Sequence, residues 1–473
     1  KIVVSKQGDY SLTVTDLTTG CNHTVEKKIT SSADIQSPYY QSRTDGTWSG
    51  IGMWNVSADA DLWRCTVKSP TEDAVSVVLS NAIMIESGDE INVKNLKLEP
   101  SGLLLNEGIL VISDTLTFVI DENGTSQLKN NGTVVNNGVI KVRKTFKSQD
   151  GWVFMSFPFN VSANNIFIGG TNTNASWGNI GEQNKDIYIF EYDGESRDMN
   201  GTFSTINSPN WKNVNPKFLI AKKGYIMAVD SDKTIDFVSS MGESSLFEST
   251  AQVDINKYTT NALPIHNSWN LIGIPFSSSF DLINATQSHA PFYYYDGNSY
   301  QTVMEDDSYE ANPFVSFFLQ AHGAPNVVSF ASNGRILKST STIKDYAEIG
   351  LTLSNDKYSD KTRIRLQDEA LESYELGKDA IKIFSQKTNI PQIYSKTNGY
   401  DLSVNALPLN TLKVNLGMKL NEGERYDIRL SDKNNMEKYK KIILKDNETA
   451  NEIDLLTDES YTFSSSDGAK NRF

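Results

Sequence analysis

Apolar positions along this chain fall in short runs, alternating or nearly continuous, separated by Asn-Gly, Asp-Gly and Ser-Gly pairs. Alternation with period two sends every second side chain to one face of a sheet, whereas a helix needs a 3.6-residue period sustained over ten or so positions. DEALESYELGKDA at 368–380 is the clearest helical stretch, and Gly377 within it makes an ordered loop an equal expectation. The pattern predicts a mainly β protein.

Taken in order, the runs divide the chain into four parts. Residues 1–30 give two alternating strands, with Tyr10, Leu12 and Val14 on one half-buried face. Two strands cannot bury a core, so these read as the tail of a truncated immunoglobulin-like module. A linker follows at 31–43. In 44–66 stand Trp48, Trp54 and Trp63, expected to cap the next element, with sugar stacking as the functional alternative. From 75 to 144, short strands turn at Gly88, Gly102, Gly108, Gly124, Gly132 and Gly138. Glycine supplies the positive φ that corners use. The expected form is a short β-solenoid with Leu96, Leu98, Leu104, Val111, Leu116 and Val134 in one narrow core, a meander of hairpins being the alternative.

WVFMSFPF at 152–159 and WNLIGIPF at 269–276 repeat one octapeptide, and each is followed by Tyr-Asp-Gly (192–194 and 295–297) and an aromatic-aliphatic strand. Segment 145–335 is therefore read as an internal duplication of β-sandwich-like units, 145–245 and 250–335. Each octapeptide is expected as a strand buried on both sides, so that Trp152 and Trp269 are buried, and each Asp-Gly pair as a tight hairpin turn. Residues 345–473 give many short strands, as an antiparallel β-sandwich requires. The domains are thus 1–30, 31–144, 145–335 and 345–473.

Charge and composition narrow the function classes. The net charge is −14 over 473 residues. No basic stripe is present to neutralise phosphates, which excludes nucleic acid as the natural partner. No apolar run is long enough to span a bilayer as a helix. Cys21 and Cys65 lack metal-ligand spacing; two thiols are the plain reading and one bridge between them the alternative. The chain does not begin with Met and opens on a strand pattern, which is expected of a piece of a longer protein.

Catalytic signals are weak, so no catalytic residue is assigned. The histidines His23, His266, His289 and His322 have no partner spacing, and no nucleophile elbow, zinc motif or phosphate loop occurs. Glu305-Asp306-Asp307 reads as a solvated loop. Asp230, Asp232 and Asp236 alternate like part of a calcium loop but lack its Gly and distal Glu, so calcium is a weak candidate and no other cofactor is implied. Trp211, Tyr295 and Tyr300 could form a sugar-binding face, although alternation along the strand turns half of such rings inward.

TDGTWSGIGMWN, GWVFMSFPF, KKGYIMA, SWNLIGIPF, NPFVSFFLQ and DKTRIRLQDEALESYELGKDAIKIFS together resemble the large secreted, adhesin-like multidomain β proteins of Bacteroidetes, which include substrates of the type IX secretion pathway. The resemblance implies export and display at the cell surface, and structural rather than catalytic motifs. It carries the expectation of a non-catalytic adhesin-like protein whose partner is a glycan or a host or matrix protein. Glycan-binding modules for polysaccharide capture form the alternative, and a polysaccharide-degrading enzyme is a third reading.

Overall fold

The computed structural model of the chain describes residues 9–16, 18–28, 38–66, 68–201, 210–286, 289–337, 347–385, 387–434, 439–458, 460–465 and 472–473. Parallel pairing dominates 39–146. One wall stacks Tyr39–Ser42, Ser76–Leu79, the end of Glu90–Leu98, the end of Ile109–Asp121 and Val139–Phe146. A second stacks Gly46–Thr47, Ala82–Ile85, Leu103–Asn106 and Gln127–Asn130. The third joins the starts of Glu90–Leu98 and Ile109–Asp121 to Thr133–Asn136. A meander would pair chain neighbours antiparallel, so this is a three-walled β-solenoid.

Its core is built from ladders. Val77, Leu96, Leu116 and Ile140 align on the first wall, and Ile83, Leu104 and Leu128 on the second; all are buried. Leu98 is buried with them, Val134 packs half-buried against the core, and Val111 faces outward because Leu110 and Ile112 take the inner positions. The corners differ from expectation. Gly88 and Gly124 do have positive φ, at 95° and 143°. At Gly132 and Gly138, by contrast, a Cβ would lie 2.1 Å from the Gly108 carbonyl oxygen and 1.7 Å from that of Asp114. Close stacking of successive coils, rather than turn handedness, demands glycine there.

Trp48 and Trp54 are fully buried at the first coil, with ring centroids 4.9 Å apart, while Trp63 is half-buried. At the far end Val139–Phe146 pairs antiparallel with Lys233–Val238, which pairs with Ile166–Ile168. The solenoid's open edge is thereby covered, and one hydrophobic core continues from Tyr40 to Phe247.

The two octapeptides occupy equivalent strands. Val153–Ser156 pairs with Gly224–Val229, which pairs with Ile187–Tyr192. Trp269–Gly273 pairs with Ser316–Gln320, which pairs with Phe292–Tyr295. The strand before each octapeptide is repeated too, since Val139–Phe146 on Lys233–Val238 matches Ala251–Asp254 on Val327–Phe330. The last solenoid strand is thus also the first strand of the repeat.

The units meet about a pseudo-twofold axis. Met155 bridges Val315 and Ile272 bridges Lys223, two contacts that the sequence repeat makes equivalent. The Ser156 N–H donates to Phe314 O at 3.0 Å and the Gly273 N–H to Lys222 O at 2.9 Å. Phe314 and Lys222 both take left-handed φ, 67° and 66°, a matched strain that the cross-unit bonds hold in place. On the axis itself Ser156 and Gly273 face each other, and a Cβ at 273 would stand 1.8 Å from Ser156 Oγ. The small residue in each octapeptide is explained by that contact.

Two expectations for this segment are corrected. Trp269 is 1% exposed, but Trp152 is only half-buried. Tyr295-Asp296-Gly297 is a hairpin turn, with Asp296 accepting from the Asn298 and Ser299 amides. Asp193 instead caps a seven-residue helix, Gly194–Asn200, by accepting from the Ser196 amide at 3.1 Å. A carboxylate N-cap followed by Glu195 in the first turn favours that helix.

The C-terminal part is a sandwich-like assembly. Its eight-stranded sheet is antiparallel except where Ser359–Gln367 runs parallel to Tyr400–Pro408. One face buries Leu353, Ile364 and Ile428 with Leu444 of a small two-stranded sheet and Leu455 just after it. The other presents Ile381, Leu402 and Val404 to the duplicated units. Residues 368–379 are an ordered loop, with Gly377 at φ 96°, and Ala380 opens a short strand.

At the other end, Asp9–Thr15 and Asn22–Lys28 form a two-stranded hairpin. Leu12 and Val14 are 47% and 54% exposed rather than half-buried, and the side chain of Tyr10 lies outside the described residues. Cys21 is disulfide-bonded, and Asn22–Lys28 lies against Arg64–Thr66. The bridged alternative therefore replaces the reading of two thiols; the Cys65 side chain lies outside the described residues.

Candidate functional site

The three aromatics singled out from sequence do converge. Strand pairing sets Trp211 opposite Tyr192 and Tyr300 opposite Tyr295, so Trp211 and Tyr300 hold equivalent places in the two units. All three rings surround Phe154, with centroids at 6.2 Å for Trp211, 5.6 Å for Tyr295 and 6.0 Å for Tyr300. The cluster faces largely inward, however, with Trp211 buried and Tyr295 and Tyr300 half-buried. Trp211 is 7% exposed and packed against Tyr192 and Phe318, so it offers no flat face to a sugar. Burial raises the hydroxyl pKa values of Tyr295 and Tyr300 above that of free tyrosine. These rings join the two units to the C-terminal sheet.

The calcium candidate dissolves into ion pairs. Asp236 accepts a bidentate pair from Arg143 at 2.7 and 2.8 Å. Asp232 accepts from the Ser148 amide at 2.9 Å and lies 3.5 Å from Lys147, while Asp230 pairs with Lys233. The Lys233 hydrogen bond lowers the pKa of Asp230. Three carboxylates held by three different basic residues do not form a shell, and no group of three metal-ligating side chains comes together among the described residues.

Of Glu305-Asp306-Asp307, only Glu305 is exposed to solvent as expected. Asp307 is 8% exposed and lies 2.7 Å from Arg363 and 3.3 Å from Arg365. Arg365 also reaches Glu348 at 2.8 Å and Asp306 at 3.0 Å. Two arginines, both nearly buried, thus lock the second unit to the C-terminal sheet, each charge compensated as burial requires. Sequence reasoning missed them. The available signal was the Arg-x-Arg alternation in TRIRLQ, which puts both side chains on one face of the strand.

Two grooves open beside this framework. The first, of about 480 Å³, lies between the units and is lined by Asp193, Glu195, Lys212, Lys222, Lys223 and Tyr258 among others. Ion pairs tie up the basic groups on the first unit's side, where Lys212 lies 3.4 Å from Asp193 and Lys223 2.5 Å from Glu191. The second, of about 500 Å³, separates the second unit from the C-terminal sheet. Tyr294 and Tyr309, half-buried, line it and stack on each other with centroids 4.1 Å apart. Opposite them stand Lys361, Arg363, Asp432 and Lys433. Of the sequence-selected aromatics, Tyr300 alone reaches this groove.

The titratable groups with the clearest perturbations are committed to structure. Burial raises the Asp379 carboxyl to about 6, yet both its oxygens accept backbone amides, from Glu375 and Ala406 at 2.7 Å each. Asp446 is held well below the usual carboxylate range by Arg472 and Tyr461, against a raising influence of burial. No protein-family model, no curated protein and no solved structure matches this chain.

Proposed function

We propose that the chain is a non-catalytic, adhesin-like scaffold that works in secreted form or at the cell surface and holds out a groove-bearing binding face toward a glycan or a matrix protein. The observation that carries this reading is the state of the charged side chains. In the clefts and at the unit junctions, the carboxylates of Asp236, Asp307, Glu348 and Glu191 are engaged by arginine or lysine. General acid–base chemistry needs groups poised to gain and lose protons near the operating pH, and ion-paired carboxylates are poorly suited to it. A continuous core through the solenoid and the first repeat unit supplies the stiffness a display scaffold needs. The resemblance to Bacteroidetes surface proteins supports the location.

The test is an array of immobilised glycans and matrix proteins probed with the purified chain, with reducing-sugar release measured on the same polysaccharides. Saturable binding without turnover is expected. Turnover that disappears on Glu305→Gln or Asp307→Asn would overturn the reading.

A further inference from the structure

We infer that the groove between the second unit and the C-terminal sheet is a binding site for an uncharged oligosaccharide, an assignment that rests on the binding-scaffold reading and names its ligand class. Four observations lead to it.

The first is an apolar wall of the right kind. Tyr294 and Tyr309 stack at 4.1 Å with 24° between planes and both stay partly exposed at the groove. Pyranose rings present an apolar C–H face, and half-exposed aromatic rings are the side chains that cover such a face while keeping a polar edge in water. The second is a set of fixed donors and acceptors opposite that wall. Arg363 is held by Asp307 at 2.7 Å and by the Thr302 carbonyl at 2.8 Å. Thr302 and Ser403 share a hydroxyl–hydroxyl bond of 2.7 Å, and Lys361 pairs with Asp432. Groups already locked by neighbours lose little freedom when a ligand hydroxyl bonds to them, so their hydrogen bonds count more fully toward affinity.

The third observation is charge. Lys361, Arg363 and Lys433 line the groove with Asp307, Glu348 and Asp432, three cations against three carboxylates. A balanced groove in a chain of net charge −14 has no field to draw in a sulfated or uronic-acid polymer. The fourth is size, because about 500 Å³ lies within the range of small-ligand sites. The groove between the two repeat units is less suited: its lining aromatics are the buried Tyr192 and Trp269 and the single half-buried Tyr258.

The experiment is isothermal titration of the full chain with neutral β-glucan, xylan, mannan and galactan hexasaccharides and with a polygalacturonate oligomer. At least one neutral hexasaccharide is expected to bind and the polygalacturonate not to. Tyr309→Ala should weaken binding at least tenfold, Tyr309→Phe should keep it within threefold, and Lys361→Ala, which leaves the stacked rings in place, should weaken it about fivefold. Tyr258→Ala, in the other groove, should leave affinity unchanged. Binding confined to the acidic oligomer, or unaffected by both Tyr309→Ala and Lys361→Ala, would overturn the assignment. If no oligosaccharide binds while a matrix protein does, the groove assignment falls and the scaffold reading stands. Hydrolysis of a bound sugar would instead overturn the scaffold reading.

Discussion

Trp269→Ala tests how the repeat is held together. Trp269 is 1% exposed, its ring lies 3.8 Å beneath the Arg197 guanidinium and 5.2 Å from Tyr293, and its indole N–H donates to the Ile265 carbonyl at 2.8 Å. Arg197 belongs to the helix of the first unit, so this contact ties one unit to the other. Truncating a buried Trp costs about 3–5 kcal/mol, and loss of a desolvated cation–π contact adds about 1–2 kcal/mol. The equivalent Trp152 is half-buried and leans on Phe190 at 5.2 Å. Half of a Trp's burial area at 25 cal/mol/Å² corresponds to roughly 2–3 kcal/mol. Since 1 kcal/mol moves the melting temperature by about 2–4 °C in a unit of this size, Trp269→Ala should lower it by at least 8 °C and Trp152→Ala by about half as much. Differential scanning calorimetry of both variants is the assay. Equal shifts, or a larger one for Trp152→Ala, would refute the account of the unit junction.

Gly138→Ala should destabilise the solenoid by several kcal/mol in urea unfolding, because its Cβ would stand 1.7 Å from the Asp114 carbonyl oxygen. Gly88→Ala meets nothing within 4 Å and should show only the ~1 kcal/mol cost of its φ of 95°. Asp307→Asn removes the shared partner of Arg363 and Arg365 and should cost about 3–5 kcal/mol; an unchanged melting curve would show that the junction does not depend on it. His289 and His322 face each other at 6.1 Å, and burial lowers both pKa values, with Lys257 adding to that and Glu305 opposing it at His322. The folded state therefore favours the neutral rings, so stability is complete above the ordinary histidine pKa of 6.5 and falls as pH drops through the lowered values. His289→Gln should flatten the melting-temperature slope between pH 7.5 and pH 5, and an unchanged slope would assign the acid sensitivity elsewhere.

What the sequence by itself determined rested on local pattern. Period-two alternation specified strands, closely spaced glycine corners narrowed 75–144 to a solenoid or a meander, and the twice-written octapeptide specified two copies of one strand order. Each of those signals acts between residues near in sequence or copied within it. The tertiary structure alone decided which face of each strand is covered. Nothing in WVFMSFPF distinguishes the half-buried Trp152 from the buried Trp269, because the difference arises from the helix carrying Arg197, which packs on the second unit. Trp211 looked available for a ligand and is closed in by Phe154, Tyr192 and Phe318, which come from three other strands. Asp307 looked solvated and became buried only when Arg363 and Arg365 of the C-terminal sheet reached it. Charge pairing and ring burial over such separations depend on how sheets stack. Chain-local hydrophobic periodicity carries no information about that.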